Sequence, residues 1–164
     1  MPTIVVGAGG KAWDGLRKLA LPPCVVVLGD GKHFVQPIYV SDLAAILSGV
    51  ILAKQYRNET LEVGGPERVS ILDLLRRIHV AYTGKEPLAT LTVPLGILTA
   101  ILTFVETVAG PIWPISLGQL ATFKNDGCAD PGRMPASNGA TTSIARMMAL
   151  TMQEEREGQH GPTA

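Results

Sequence analysis

The chain has 164 residues, 46% of them hydrophobic and 17% charged, which is one domain's worth of sequence, able to bury a core and not disordered throughout. Fourteen basic and fourteen acidic residues cancel, which argues against nucleic-acid binding, whose affinity rests largely on neutralising phosphates. Cys24 and Cys128 lie far apart without metal-ligand spacing, and no basic n-region precedes Ile4, so the expectation is a reduced, cytoplasmic protein with no zinc site.

In chain order, Thr3, Ile4, Val5 and Val6 form a short β-branched run, stopped by Gly7-Ala8-Gly9-Gly10, which predicts a strand and a tight turn. Residues 11–21 follow as a helix with Trp13, Leu16, Leu19 and Ala20 on one face, ended by Pro22-Pro23. The continuous apolar run at residues 24–28 reads as a buried strand. Gly29-Asp30-Gly31 then turns the chain into an extended stretch carrying Gln36 and ending at Tyr39-Val40.

The next helix, residues 41–54, has the clearest pattern: Leu43, Ile46, Leu47, Val50 and Ile51 make one wide stripe that must dock on a sheet or another helix. Residues 60–63 alternate polar and apolar, as a strand does, and end at Gly64-Gly65-Pro66. Ser70 is placed to cap a helix with Asp73 in its first turn, Ile71, Leu74, Leu75, Ile78 and Tyr82 on its buried face, and Gly84 as its stop. Residues 88–93 read as one more strand, and Pro94 suits the first turn of an apolar helix running to residue 109. That segment approaches the length of a membrane span, but Glu106 interrupts it and no basic cluster flanks it, so a buried or ligand-covering helix is the reading. Residues 127–164 are expected to be a flexible tail with a short helix carrying Ile144, Met147, Met148 and Met152. His33, His79 and His160 form no cluster and are expected at surface or helix-flank positions.

Gly7-x-Gly9-x-x-Ala12, after a strand and before a helix, satisfies a dinucleotide-binding pattern, and Asp30 closes the following strand where a ribose-binding acid would stand. An ordinary strand–turn–helix explains the same glycines. The chain carries no Gly-x-Ser-x-Gly elbow and no Tyr-x-x-x-Lys pair; Tyr82 and Lys85 are one residue too close. Gln36, on an extended stretch beside a helix N-terminus, is the candidate ligand contact, with an edge-strand surface position as the alternative.

Taken in series, Pro2-Thr3-Ile4-Val5-Val6-Gly7-Ala8-Gly9, Gly29-Asp30-Gly31 with Gln36-Pro37-Ile38-Tyr39-Val40-Ser41-Asp42-Leu43-Ala44, and Leu61-Glu62-Val63-Gly64-Gly65-Pro66-Glu67 resemble the NAD-dependent epimerase/dehydratase group of the extended and atypical short-chain dehydrogenases/reductases. The likeness is nearest to the branch that includes the accessory Rossmann subunit of respiratory complex I. It covers residues 2–126 and aligns with the C-terminal half of such a protein. It implies an α/β fold that is an incomplete Rossmann-type domain: the last strands of a parallel sheet plus a helical substrate lobe, with residues 127–164 as the tail.

The resemblance places Pro2 and Thr3 near the nicotinamide of NAD or NADP. It places Gln36 where sugar-nucleotide members contact a phosphate, and reads Gly7-Ala8-Gly9 as the turn after the catalytic helix. The glycine-rich nucleotide loop and the Tyr-x-x-x-Lys pair that the family carries upstream are not in this sequence, so the chain is expected to be a fragment and inactive alone. The apolar residues 94–109 imply an apolar substrate, a quinone or an isoprenoid. The complex I likeness implies peripheral association with a membrane complex, in which the alternative role is a non-catalytic structural or assembly subunit.

Overall fold

The structure is a computed structural model and describes residues 1–54, 56, 58–94, 96, 127–135 and 139–159. The expected apolar helix at residues 94–109 lies almost wholly outside the described residues.

The described elements run β1 (Val5–Val6), α1 (Lys11–Ala20), β2 (Cys24–Leu28), β3 (Phe34–Val35), β4 (Ile38–Tyr39), α2 (Val40–Ala53), β5 (Val69–Ser70), α3 (Ile71–Thr83), β6 (Ala89–Val93), a 3-10 turn at Pro131–Arg133, and α4 (Ile144–Gln159). The strands pair as three two-stranded ladders: β1 with β4 in parallel, β2 with β6 in parallel, and β3 with β5 antiparallel. The β2–β6 ladder is the longest, in register from Cys24 opposite Ala89 to Leu28 opposite Val93. Parallel pairing requires a long crossover, and here two helices lie between the paired strands.

Local signals account for most helix boundaries. In α1 the buried side chains are Trp13, Leu16 and Ala20, one face of a 3.6-residue repeat, while Asp14 and Arg17 pair on the outside at 3.5 Å. In α3 the Ser70 hydroxyl accepts the Asp73 N–H at 3.1 Å, and Gly84 ends the helix in the left-handed conformation that glycine adopts without strain. Ile71, Leu74, Leu75 and Ile78 join the α1 face, Val25 and Val27 in one core. Burying each such side chain is worth about 1.5–3 kcal/mol before conformational entropy is set against it.

Four expectations need correction. Residues 60–63 do not form a strand; Val63 makes a single parallel bridge to Pro2, because only Met1 and Thr3 offer it main-chain partners. The α2 stripe docks only in part. Ile46 is buried with Ile38 and Val63, and Leu43 and Val50 are half-buried against the same cluster, but Leu47 and Ile51 lie outside it and are exposed. His79 is buried, not flanking: its Nδ1 lies 2.7 Å from the Ala20 carbonyl, one of the acceptors left open where α1 ends. The described part of the expected tail is ordered into the fold. Ile144, Met147 and Met148 of α4 enter the main core, and residues 130, 141, 142 and 144 donate main-chain N–H groups to Glu62, Asp42 and Glu67.

Candidate functional site

An open cavity of about 500 Å³ lies along the first strand. Pro2, Thr3, Ile4 and Val5 form one wall, Ala12 of α1 another, and Glu62, Gly127 and Cys128 close it from the far side. Main-chain bonds fix the first wall: Thr3 donates its N–H to the Val63 carbonyl at 2.9 Å, and Val63 donates to the Met1 carbonyl at 3.0 Å. The Thr3 hydroxyl donates to the Gln36 carbonyl. The far wall is held by Glu62, whose carboxylate accepts the Asp130 N–H at 2.9 Å and meets Arg133 at 3.4 Å. Arg68 donates Nε–H to the Cys128 sulfur at 3.2 Å. Among the described residues no lysine or arginine lines this cavity.

Pro2 and Thr3, expected together, are thus brought to one surface. Gln36 stands behind it. Its side chain is 7% exposed; Nε2 donates to the Gly65 carbonyl at 2.6 Å, and Oε1 accepts the Ala129 N–H at 3.1 Å. The Gln36 main chain also donates to Gly127 at 3.2 Å. One residue therefore ties the Gly64–Gly65 turn, the first strand and the Gly127–Ala129 segment to each other. The contact is close: a Cβ on Gly64 would stand 2.6 Å from the Gln36 carboxamide carbon, and one on Gly65 only 1.8 Å from the Pro37 carbonyl oxygen. Glycine is needed there for approach, not for an unusual φ. In the sequence the paired glycines read as the end of an extended run, and the structure shows that they also admit Gln36 and Pro37.

The turn at residues 7–10 does not fit a dinucleotide pyrophosphate. Gly10 donates its N–H to the Gly7 carbonyl at 3.2 Å, and the Ala8 N–H points to the Glu154 carboxylate at 3.4 Å. A carboxylate at that point would repel a diphosphate. Gly7 instead serves packing, since a Cβ there would meet the Val40 side chain at 2.8 Å. Asp30 accepts the Lys32 N–H at 3.0 Å and stands 3.6 Å from His33, a local turn contact.

A second polar cluster joins α4 to the body. The Tyr39 hydroxyl donates to Glu154 at 2.5 Å; the Tyr82 hydroxyl donates to Glu155 at 3.1 Å, and Glu155 pairs with Arg17 at 2.5 Å. Burial, then the bond and charge of Glu154, push the Tyr39 phenol up to about 12. A phenol so placed holds its proton and cannot act as a base near neutrality. Among the described residues there is no group of three or more His, Cys, Asp or Glu that could hold a metal ion, and both cysteines are free. No helix among them is long and apolar enough to cross a membrane.

These features define a class: part of a Rossmann-type α/β fold, with a cavity where the first strand meets the chain's later segments. Solved structures agree. The chain is similar to UDP-glucose 4-epimerase of Thermotoga maritima, solved with UDP-glucose (18% identity, TM-score 0.53), over 97% of this chain and 45% of that one. It is similar to UDP-glucuronic acid 4-epimerase of Bacillus cereus, solved with NAD (17%, TM-score 0.56), over 99% and 44%. It is also similar to a human epimerase family protein solved with NADPH (16%, TM-score 0.59), over 93% and 46%. The chain thus spans a little under half the length of these structures. No protein-family model matches the sequence, and the curated proteins contain no match. At these identities the likeness shows the fold, an incomplete Rossmann-type domain.

Proposed function

We propose that this chain is the substrate-side half of an NAD(P)-dependent epimerase/dehydratase or oxidoreductase-like protein. The observation that carries the reading is the cavity formed by Pro2 and Thr3, in a chain whose fold matches a little under half of proteins solved with NAD, NADPH or a UDP-sugar. In this reading Pro2 and Thr3 face the nicotinamide end of a cofactor held by the other half, and the chain alone is inactive. Gln36 is proposed as a near-ligand strut that holds the wall with its carboxamide. The ligand is neutral and apolar, a quinone or an isoprenoid. Among the described residues no lysine or arginine side chain lines the cavity to meet a diphosphate, the Met1 ammonium donates to the Leu61 carbonyl, and most of the lining side chains are apolar or small.

The test is chemical-shift mapping on the full chain with a short-chain ubiquinone analogue and, separately, UDP-glucose. The reading expects saturable shifts at Thr3, Ile4 and Gly127 with the quinone and none with UDP-glucose. Saturable binding of UDP-glucose at those residues would overturn the substrate class, and shifts confined to other surfaces would overturn the site.

A second reading, a structural or assembly subunit of a respiratory or quinone-linked membrane complex, is favoured by the apolar side chains that α2 leaves in solvent. In that case the fold serves as scaffold, and the chain is expected to co-purify with the complex.

A further inference from the structure

Helices α3 and α4 pack side by side, and an open cavity of about 450 Å³ runs between their outer faces. Its floor is Val80 and Ala81 of α3 with Ala145 and Met148 of α4. Positions 73, 76, 77, 80 and 81, which line it from α3, form one stripe of a 3.6-residue repeat. Ala81 and Ala145 are both exposed, and such small side chains let a second helix come close.

The charges on this groove fall into two sets. Asp73 and Arg77 pair with each other at 2.8 Å, and Arg77 also meets Glu67 at 3.3 Å. Arg76 donates to the Thr90 hydroxyl at 3.3 Å, and among the described residues neither it nor Glu86 has an ion-pair partner. Arg76 stands one turn before Val80, and Glu86 stands two residues past the Gly84 stop. At about 1.5 Å per residue, Arg76 and that stop are about 12 Å apart along the helix. A lone exposed charge is ordinarily hydrated and signals nothing. Opposite charges toward the two ends of one apolar-floored groove have a direction, and a partner must match it.

The possible occupants differ in charge and shape. A lipid surface or an acidic peptide selects a basic face, whereas two carboxylates line this groove beside its two guanidinium groups. A small molecule is enclosed over most of its surface, and this groove lies open between two helices. A second copy of the chain meets the pattern. About a two-fold axis, residue i of one copy meets residue j of the other, and j meets i. Ala81 lies midway between positions 76 and 86 in the sequence. Two α3 stripes crossing antiparallel over Ala81 therefore set Arg76 against Glu86 of the second copy, and Glu86 against its Arg76.

We infer that the α3–α4 groove is a self-association surface, on which two copies of this chain pack α3 against α3 in antiparallel fashion. The apolar floor supplies the affinity, and the exchanged Arg76–Glu86 pairs fix the orientation. Two helices about 20 Å long and about 10 Å wide give each copy a face of about 400 Å². That is below the roughly 800 Å² per partner of a standard interface, so the dimer is weak and reversible.

The test is sedimentation equilibrium of the full chain over a concentration series reaching about 1 mM, the range of weak complexes. The apparent mass should rise from 17.3 kDa toward twice that value. Arg76→Glu alone brings two carboxylates together at each contact and should leave the chain monomeric. Glu86→Arg alone brings two guanidinium groups together and should do the same. Mixed in equal amounts, the two single variants should form a dimer, because each contact then joins opposite charges. The double variant should self-associate as wild type does. Ala145→Arg obstructs the floor without touching either charge and should also be monomeric. All three positions are exposed, so the circular-dichroism spectra should match wild type. A wild-type chain that stays monomeric throughout would overturn the proposal. So would a dimer that survives either single charge reversal or Ala145→Arg, or failure of the mixture or of the double variant to associate. None of the groove residues lines the Pro2–Thr3 cavity, so the outcome leaves the substrate-side reading to its own test.

Discussion

The role given to Gln36 has a sharp consequence in Gln36→Glu. The substitution keeps an acceptor for the Ala129 N–H but replaces the Nε2 donor with an oxygen, 2.6 Å from the Gly65 carbonyl. When protonated, the introduced carboxyl donates to Gly65 and restores the bond. When ionised, it loses that bond, faces a carbonyl dipole and carries its charge in a buried position. Both effects raise the folded-state pKa of the new carboxyl above the ordinary glutamate value of about 4.3. A rise of about 3 units, within the range seen for buried carboxyls, at about 1.4 kcal/mol per unit, makes the variant about 4 kcal/mol less stable than wild type at pH 7.5. Because the folded pKa is the higher one, the variant's deficit vanishes below the unfolded value and grows as pH rises toward the folded one. Urea unfolding of both proteins at pH 4.5 and pH 7.5, followed through the buried Trp13, measures the difference. The expected outcome is near-equal midpoints at pH 4.5 and a large deficit for the variant at pH 7.5. Equal midpoints at both pH values would refute the reasoning, since Gln36 would then be free to leave its pocket.

Other variants probe the same packing. Gly65→Ala drives a Cβ to 1.8 Å from the Pro37 oxygen and should cost about 3 kcal/mol or more in chemical unfolding, at the upper end for overpacking. Gly15→Ala has open space within α1 and should instead gain about 0.5–1 kcal/mol. Ser70→Ala removes the cap on Asp73 and should lower stability by about 1 kcal/mol in the same assay. Tyr39, with its phenol pushed up to about 12 from an unfolded value near 10, stabilises the fold at all pH below that unfolded value. That contribution is lost as pH rises toward 12. Thermal unfolding across this range should fall more steeply for wild type than for Tyr39→Phe.

What was legible in the sequence is local. The faces of α1 and α3, the Ser70 cap, the Gly84 stop and the apolar run of β2 each follow from residues within one or two turns of each other. What was not legible depends on distant partners. The His79 ring reads as a flank until the end of α1 is placed beside it. The helix pattern of α4 was visible, but its docking depends on Asp42, which holds Thr142 from 100 residues away, and on Glu67, which holds Ile144. The stripe of α2 announced a docked helix, and periodicity alone cannot say whether the surface it needs lies in the same body. The motif series singles out Pro2 and Thr3, and the structure sets both in the wall of the cavity. The inward turn of Gln36 was hidden because nothing near it in sequence shows that Gly65 and Ala129 will complete its bonds.

The central claim is that this body is the substrate side of a dinucleotide-binding fold and does not itself hold the dinucleotide. Isothermal titration of NADH and NADPH into the purified chain tests it most directly. The account predicts no saturable heat with either nucleotide, in wild type and in Gly9→Val alike, because Glu154 lies against the residue 7–10 turn. Tight binding that disappears in Gly9→Val would contradict it and assign that turn to the pyrophosphate.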